Sequence, residues 1–250
     1  MRTPTENWRG RVQMGIGWGL FVGRAGDGAA HAHHAVQVLL SESAQAVWTR
    51  PTGWLRASGI VIGADVEHQL APTTESVTVL YVEPHSTAGR HLGGSLRDGV
   101  QVLDRREVEA ARQALGETPD AAAVAALVER IGGDDRTADH QPTGDALIAE
   151  LIESLPAQLP DRLTTATLAQ QARLSESRFL HRFRAHTGLP LRPYLRWRRL
   201  LVAMTGVMEG RALTQAAVDA GFADAAHFTR TFRRHFGIPP KTLLDLQPGR

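Results

Sequence analysis

The sequence of 250 residues has no cysteine and a single lysine, Lys241, beside 27 arginines. Without cysteine the chain has no disulfide, no thiolate zinc site and no cysteine nucleophile. No apolar run approaches the roughly 20 residues that a membrane-spanning helix needs, and the short apolar stretch at residues 14–22 lacks the cleavage site of an export signal. We therefore expect a soluble, cytoplasmic protein that has no membrane partner.

Charge is distributed unevenly along the chain. Residues 1–141 carry 13 basic and 17 acidic side chains, whereas residues 142–250 carry 15 basic and 9 acidic ones. The length is sufficient for two domains with separate cores. An acidic half followed by a basic half is typical of a regulatory module joined to a module that binds nucleic acid.

The basic half contains an internal repeat. Three positions recur after 48 residues and five later positions recur after 49, so the second copy has one additional residue between the two groups. The corresponding pairs are Ala169 and Ala217, Ala172 and Ala220, Leu174 and Phe222, Phe179 and Phe228, Phe183 and Phe232, His186 and His235, Gly188 and Gly237, and Pro190 and Pro239. The additional residue falls between two helical patterns, where a turn can accommodate it.

Each copy has the pattern of a helix, a short turn and a second helix. In the first copy the helices are expected at residues 165–172 and from residue 176 until Gly188, which can adopt the left-handed conformation that ends a helix. In the second copy Gly221 lies in the turn, where a positive φ is often needed. The expected N-caps are Thr164, Ser175, Thr214 and Asp224.

A connecting helix between the two copies is predicted over residues 191–208. At ~1.5 Å per residue it spans about 27 Å, which can place two reading helices roughly one DNA turn apart. The chain between residues 173 and 199 also holds eight arginines and one acid. These arginines are Arg173, Arg178, Arg182, Arg184, Arg192, Arg196, Arg198 and Arg199. Arginines on a projecting helix suit phosphate contacts and the reading of guanine edges; the simpler interpretation is a solvated charged face.

The repeat resembles the DNA-binding domain of the AraC/XylS family of bacterial transcription regulators, most strongly over residues 220–240, AGFADAAHFTRTFRRHFGIPP. The resemblance implies a sequence-specific transcription regulator, an activator or a repressor, that is not an enzyme. Its implied partners are double-stranded operator DNA and RNA polymerase. The base-contacting residues that it implies are Ser177, Leu180, His181, Ala225, Ala226, Thr229 and Arg230. The phosphate-contacting residues expected beside them are Arg178, Arg182, Arg184, Arg233, Arg234 and Lys241.

Three of the implied base-contacting residues depart from the usual hydrogen-bonding types. Leu180, Ala225 and Ala226 offer only apolar contacts, for example to thymine methyl groups. We therefore expect His181 and Arg230 to carry most of the discrimination by hydrogen bonds.

The N-terminal half has the pattern of a β-structure. Short apolar runs separated by glycine and proline predict strands at residues 15–22, 35–40, 46–49, 55–62 and 77–82. Many short strands without helices between them favour a sandwich or small barrel, and the family resemblance implies a cupin-like jelly roll. The predicted fold class is mixed α and β in two domains: an N-terminal cupin-like β-barrel with added helices and a C-terminal all-α double helix–turn–helix.

Helical patterns at residues 104–115, with a capping box, and 121–131 follow the strands, and another at 146–155 opens the basic half. The first two helices either pack on the barrel or pair two copies into a homodimer. The predicted domains are residues 1–131 for effector binding and dimerisation, 132–143 as a linker, and 144–250 for DNA binding.

Four polar residues of the predicted barrel are candidates for an effector or metal site. His31 and His33 are followed by Gln37, and His68 comes later, an arrangement that resembles the two cupin metal motifs with glutamine in place of glutamate. Imidazole ligands suit Zn, Ni, Cu or Fe, and the same residues can instead line a pocket for an organic effector. Strand alternation places His34 on the opposite face from His33.

Two other functions compete with an effector-controlled regulator. The histidines alone would suit a cupin-type metalloenzyme or metal sensor whose basic domain tethers it to DNA. A non-specific architectural protein would bind every duplex equally and would not depend on the N-terminal half.

Overall fold

A computed structural model describes residues 7–94, 96–116, 120–131, 145–159 and 163–249. The chain divides into two compact units, one containing residues 1–135 together with 232–250, and the other containing residues 136–231. These units do not coincide with the predicted domains, because residues 232–250 pack with the N-terminal part of the chain. The predicted linker at residues 132–143 lies outside the described residues.

The first unit is built on one sheet that has eight strands in the described part of the chain. The strands are β1 (Arg9–Gly15), β2 (Trp18–Arg24), β3 (Val36–Thr49), β4 (Gly53–Ile62), β5 (His68–Leu70), β6 (Val77–Val82), β7 (Val100–Val102) and β8 (Gln247–Pro248). Their order is β7–β4–β3–β6–β2–β1–β8, and β5 pairs with the end of β3. The pairing of β8 with β1 is parallel, and the other pairings are antiparallel.

Three of the predicted strands need correction. The predicted strand at residues 15–22 begins too early, because a turn at Ile16 and Gly17 separates β1 from β2, and Gly17 has a φ of 77°. The predicted strands at 35–40 and 46–49 are parts of the single strand β3, whose register shifts between Leu40 and Gln45. The structure also has β1, β5 and β7, which lie wholly or largely outside the predicted runs.

Three helices cover this sheet: α1 (Thr87–Gly94) and α2 (Arg105–Leu115) pack on its strands, and α3 (Ala121–Ile131) packs on α1 and α2. The predicted capping box is confirmed, since Asp104 accepts from the amide of Glu107 at 2.8 Å and Glu107 accepts from the amide of Asp104 at 2.6 Å. Apolar side chains of α2 and α3 join those of β3, β4 and β6 in one core. The mixed strand and helix content of this unit agrees with the predicted fold class, while the cupin-like jelly roll stays a prediction.

The basic half of the chain is mainly helical. Its helices are α4 (Ala146–Gln158), α5 (Thr165–Gln171), α6 (Glu176–Thr187), α7 (Leu191–Met208), α8 (Leu213–Asp219) and α9 (Ala225–Phe236), followed by a 3₁₀ helix (Pro240–Asp245). Helix α7 is the predicted connector. The predicted all-α character is corrected by β8, which extends the sheet of the first unit. No helix among the described residues is both long and apolar enough to cross a bilayer.

Candidate functional site

The turns of the two helix–turn–helix units share one backbone geometry. Arg173 and Gly221, which correspond in the repeat, both have a positive φ, of 51° and 81°. In each turn the amide of the next residue donates to the carbonyl five residues earlier, at 2.9 Å in the first copy and 3.0 Å in the second. The repeat seen in the sequence is therefore a repeat of hydrogen bonding as well as of side chains.

The helix N-termini are capped as expected at three of four positions. Thr164 accepts from the Thr167 amide at 3.1 Å, Ser175 accepts from the Arg178 amide at 3.4 Å, and Asp224 accepts from the His227 amide at 2.6 Å. The prediction for Thr214 is wrong, because α8 already begins at Leu213 and its N-cap residue, Ala212, has no side-chain acceptor.

Helix α6 separates a buried face from an exposed face. Phe179 and Phe183 are fully buried, and the ring of Phe183 meets Tyr194 of α7 edge-on, with centroids 5.2 Å apart. The opposite face exposes most of the residues predicted to contact DNA. The exposed residues among them are Ser177, Arg178, Leu180, His181 and Arg184. Because packing fixes the aromatic side of the helix, this face is presented in a defined orientation.

Arg182 differs from the other predicted phosphate contacts. Its Nε donates to one carboxylate oxygen of Asp145. One terminal nitrogen donates to the other carboxylate oxygen at 2.6 Å. Asp145 is the N-cap residue of α4, and the Arg182 hydrogen bond lowers the pKa of its carboxyl. The pair thus joins α4 to α6, so a phosphate contact by Arg182 would have to compete with Asp145.

Helix α9 also presents a polar face. Phe228, Thr231 and Phe232 are buried, whereas the neighbouring positions predicted to contact DNA are largely exposed. The exposed residues are Ala226, Thr229, Arg230, Arg233 and Arg234, with Ala225 half-buried and Lys241 exposed in the following 3₁₀ helix. The Thr229 hydroxyl donates to the Ala225 carbonyl at 2.8 Å, which leaves its oxygen as an acceptor toward solvent.

The four candidate residues of the N-terminal half come together. His31 and His68 form an antiparallel bridge through two backbone hydrogen bonds of 2.9 Å, and their ring centroids are 4.5 Å apart. The ring centroid of His33 lies 4.9 Å from that of His68. Gln37 Oε1 lies 3.2 Å from His33 Nε2 and 3.1 Å from His68 Nε2. We call His31, His33 and His68 the histidine cluster.

Burial lowers the pKa of each imidazole in the histidine cluster. It lowers the pKa of His68 to about 3, with a further contribution from His31, and it lowers the pKa of His33 well below its ordinary value. It also lowers the pKa of His31. His34 lies outside the cluster, because its Nδ1 is 2.8 Å from the carboxylate of Asp65.

The C-terminal end of α9 contacts the histidine cluster within the first unit. The Ala29 amide donates to the carbonyl of Gly237 at 3.0 Å, and the ring of Phe236 lies 6.0 Å from that of His33, centroid to centroid. Gly237 has a φ of 69°, and a Cβ there would clash with the Ala29 carbonyl and lie 2.7 Å from His31 Nδ1. The sequence indicated Gly237 only as a helix end. No pattern in the sequence predicted the contact of Gly237 with Ala29 or that of Phe236 with His33.

Comparison with known proteins identifies the basic half. Residues 168–245 match the family model described as a helix-turn-helix domain. A stretch of 108 residues is 33% identical to the HTH-type transcriptional activator RhaS of Salmonella schwarzengrund strain CVM19633, covering 42% of this chain and 37% of that protein. RhaS of Salmonella arizonae matches to the same extent. Residues 168–245 therefore form a helix-turn-helix domain similar to that of the RhaS activators.

Solved structures extend the likeness in fold to most of the chain. An apo ToxT variant from Vibrio cholerae strain SCE256 is 12% identical and has a TM-score of 0.63, covering 94% of this chain and 100% of ToxT. Wild-type ToxT of the same strain, bound to an unsaturated fatty acid, is 11% identical with a TM-score of 0.59 and covers 98% of each chain. At this identity the likeness concerns the fold alone.

Proposed function

We propose that this protein is a sequence-specific DNA-binding transcription regulator, an activator of the AraC/XylS type, controlled by a ligand in its cupin-like N-terminal part. The observation that carries the proposal is the pair of helix–turn–helix units whose second helices, α6 and α9, expose polar and basic faces. Helices of this kind read base edges in the major groove while neighbouring arginines contact phosphates. The protein acts on operator DNA and recruits RNA polymerase rather than catalysing a reaction.

Within this proposal the reading residues have unequal roles. Arg230 and His181 are both exposed and can donate hydrogen bonds to base edges. Leu180 is 40% exposed, so an apolar contact to a thymine methyl group would also remove its side chain from water. The exposed arginines beside these residues contact phosphates and make binding sensitive to salt.

Ligand control is proposed from the histidine cluster. The cluster and Gln37 place several polar ring and amide atoms together in the first unit, and the residues that end α9 lie against them. A ligand that distinguishes two arrangements of this region would alter DNA binding, since coupling requires only differential affinity for two states. We also propose that two copies of the protein associate through α2 and α3.

The test begins with selection of binding sites by the full-length protein from random-sequence duplexes. Affinity for the selected site is then measured by fluorescence anisotropy at several salt concentrations. We expect the Arg230→Ala variant to lose about 1–3 kcal/mol of binding free energy and to accept substitutions at one base position. The matched control is Arg130→Ala, which removes an exposed arginine from α3, outside the helix–turn–helix region.

Each competing function has a distinct outcome in the same experiments. Equal affinity for selected and unselected duplexes would identify a non-specific architectural protein. Unchanged binding by Arg230→Ala would show that this face of α9 does not read DNA. Metal-dependent turnover of an added substrate, with no selected site, would identify the metalloenzyme.

A further inference from the structure

We propose that the histidine cluster is a binding site for one divalent transition-metal ion, held by ring nitrogens of His31, His33 and His68. One ring nitrogen from each residue lies within 4.8 Å of those of the other two. Bonds of about 2.1 Å to an ion require such nitrogens to approach to about 4.2 Å or less, so nitrogens 4.8 Å apart need to move closer by at least about 0.6 Å. None of the three histidines is among the residues proposed to contact DNA.

Two of the three rings are already oriented as metal ligands by the backbone. His31 Nδ1 lies 2.9 Å from the Ala29 carbonyl, and His68 Nδ1 lies 2.8 Å from the Val66 carbonyl. A carbonyl oxygen only accepts hydrogen bonds, so Nδ1 carries the proton in each ring, and the lone pair of the neutral imidazole is on Nε2. Backbone hydrogen bonds of this kind fix the tautomer and the ring orientation of metal-binding histidines.

Gln37 fits the same assignment of lone pairs when its amide is in the reversed orientation. Its side-chain amide lies between Nε2 of His33 and Nε2 of His68. If Nε2 of His68 has a lone pair, it needs a donor, and the reversed amide, which differs only by exchange of nitrogen and oxygen, supplies one. The amide therefore marks the position toward which these two nitrogens point. A bound ion would replace it there as their partner.

The chemistry of the donors selects the class of ion. Among the described residues the group contains only imidazoles, without a carboxylate, and the chain has no cysteine. Imidazole suits Zn²⁺, Ni²⁺ and Cu²⁺, whereas Mg²⁺ and Ca²⁺ prefer oxygen ligands. Burial of His33 and His68, each 1% exposed, further disfavours ions that retain much of their water shell.

Resting on the proposed function, we further assign the metal ion as the effector. A Cβ at Gly237 would lie 2.7 Å from His31 Nδ1, and the Phe236 ring faces His33. Closing the three rings around an ion therefore moves the groups on which the end of α9 packs. Interiors are closely packed, so such a shift is transmitted to the helix end.

The metal site is tested first without DNA. Untagged, chelator-treated full-length protein is titrated with Zn²⁺ and with Ni²⁺ by calorimetry, and bound metal is counted after dialysis. We expect one ion per chain, and His68→Ala to weaken binding more than the 10–100-fold that loss of an outer-shell partner costs. His34→Gln is the matched control, because His34 is a nearby buried histidine outside the cluster and its variant should bind metal normally.

A second measurement does not depend on whether the variants fold. Electron paramagnetic resonance of Cu²⁺-loaded wild-type protein should show superhyperfine splitting from several imidazole nitrogens. Absence of stoichiometric binding in the titration, metal binding that persists in His68→Ala, or a spectrum typical of oxygen ligands would each overturn the metal site.

The effector role is tested separately, with the selected DNA site. We expect Zn²⁺ or Ni²⁺ to change the affinity of the wild-type protein about 5–150-fold, the usual range of allosteric coupling, and to leave the affinity of His68→Ala unchanged. Stoichiometric metal binding with no effect on DNA affinity would refute the effector role and leave the site standing. Lack of a selected DNA site would refute the proposed function without affecting the metal titration.

Discussion

The two helix–turn–helix copies have the same backbone and different surroundings. Both place a residue with positive φ in the turn and two buried phenylalanines on the second helix. The first copy ends at Gly188, which is exposed, whereas the second ends at Gly237, which is buried against Ala29. The comparison indicates that the two copies share what a helix–turn–helix needs locally, and that the end of the second copy makes an additional packing contact.

The contacts that each copy makes with the rest of the chain also differ. Helix α6 is tied to α4 by the pair of Arg182 with Asp145, and both helices lie in the second unit. Helix α9 begins in the second unit, but from Phe232 onward it is part of the first. The end of the second copy therefore shares a unit with the histidine cluster, whereas the first copy lies in the other unit.

The largest expected effect tests whether the two copies are equally important for stability. Phe183→Ala and Phe232→Ala remove corresponding buried rings, which are 0% and 1% exposed. Each variant should lose about 3–5 kcal/mol of unfolding free energy, because apolar burial is lost and a cavity is left behind. Urea denaturation followed by circular dichroism measures both, with Leu180→Ala as the exposed control. A loss below about 1 kcal/mol for either phenylalanine would contradict equal packing.

The next effect sharpens the difference between the two helix ends. Alanine at Gly188 or Gly237 must adopt a positive φ, which costs about 1–2 kcal/mol. At Gly237 the added Cβ also clashes with the Ala29 carbonyl, so Gly237→Ala should cost about 1–3 kcal/mol more than Gly188→Ala. Thermal and urea unfolding of the two variants compare these costs directly. Equal losses would mean that Gly237 is not held against Ala29.

The smallest effect concerns the first helix of each copy. Thr164 caps α5 and its replacement by alanine should cost about 1 kcal/mol, because the Thr167 amide loses its acceptor. Thr214 lies inside α8 and caps no amide in the described structure, so Thr214→Ala should change stability by less than about 0.5 kcal/mol. The same urea titration measures both. A comparable loss for Thr214 would restore it as a cap.

Local signals in the sequence predicted the helical half well. The N-cap side chains of Thr164, Ser175 and Asp224 bond to amides three residues later, and Gly188 and Gly221 adopt a positive φ themselves. Each of these features depends on a few neighbouring residues, so the local sequence was enough to predict it. The exception at Thr214 arose because α8 begins without a side-chain cap, which leaves no polar residue to mark the start.

Contacts between distant parts of the chain were harder to predict. The turn between β1 and β2 was missed because Ile16 is apolar although fully exposed, so the hydrophobic run continues through the turn. The pair of Arg182 with Asp145 and the docking of Gly237 on Ala29 join residues far apart in sequence. The grouping of His31, His33 and His68 was the exception, because their spacing resembles a known motif and so predicted that they share one site.

The assignment of residues 232–250 to the first unit has a practical consequence for dividing the protein. A fragment that starts near residue 144 would separate Gly237 from Ala29 and β8 from β1. It would also leave apolar groups such as Phe236 and Ile238, which are 9% and 8% exposed in the full chain, without part of their surroundings. Chimaeras with related regulators should therefore exchange residues 232–250 together with the N-terminal part, so that each sheet retains its own terminal strand.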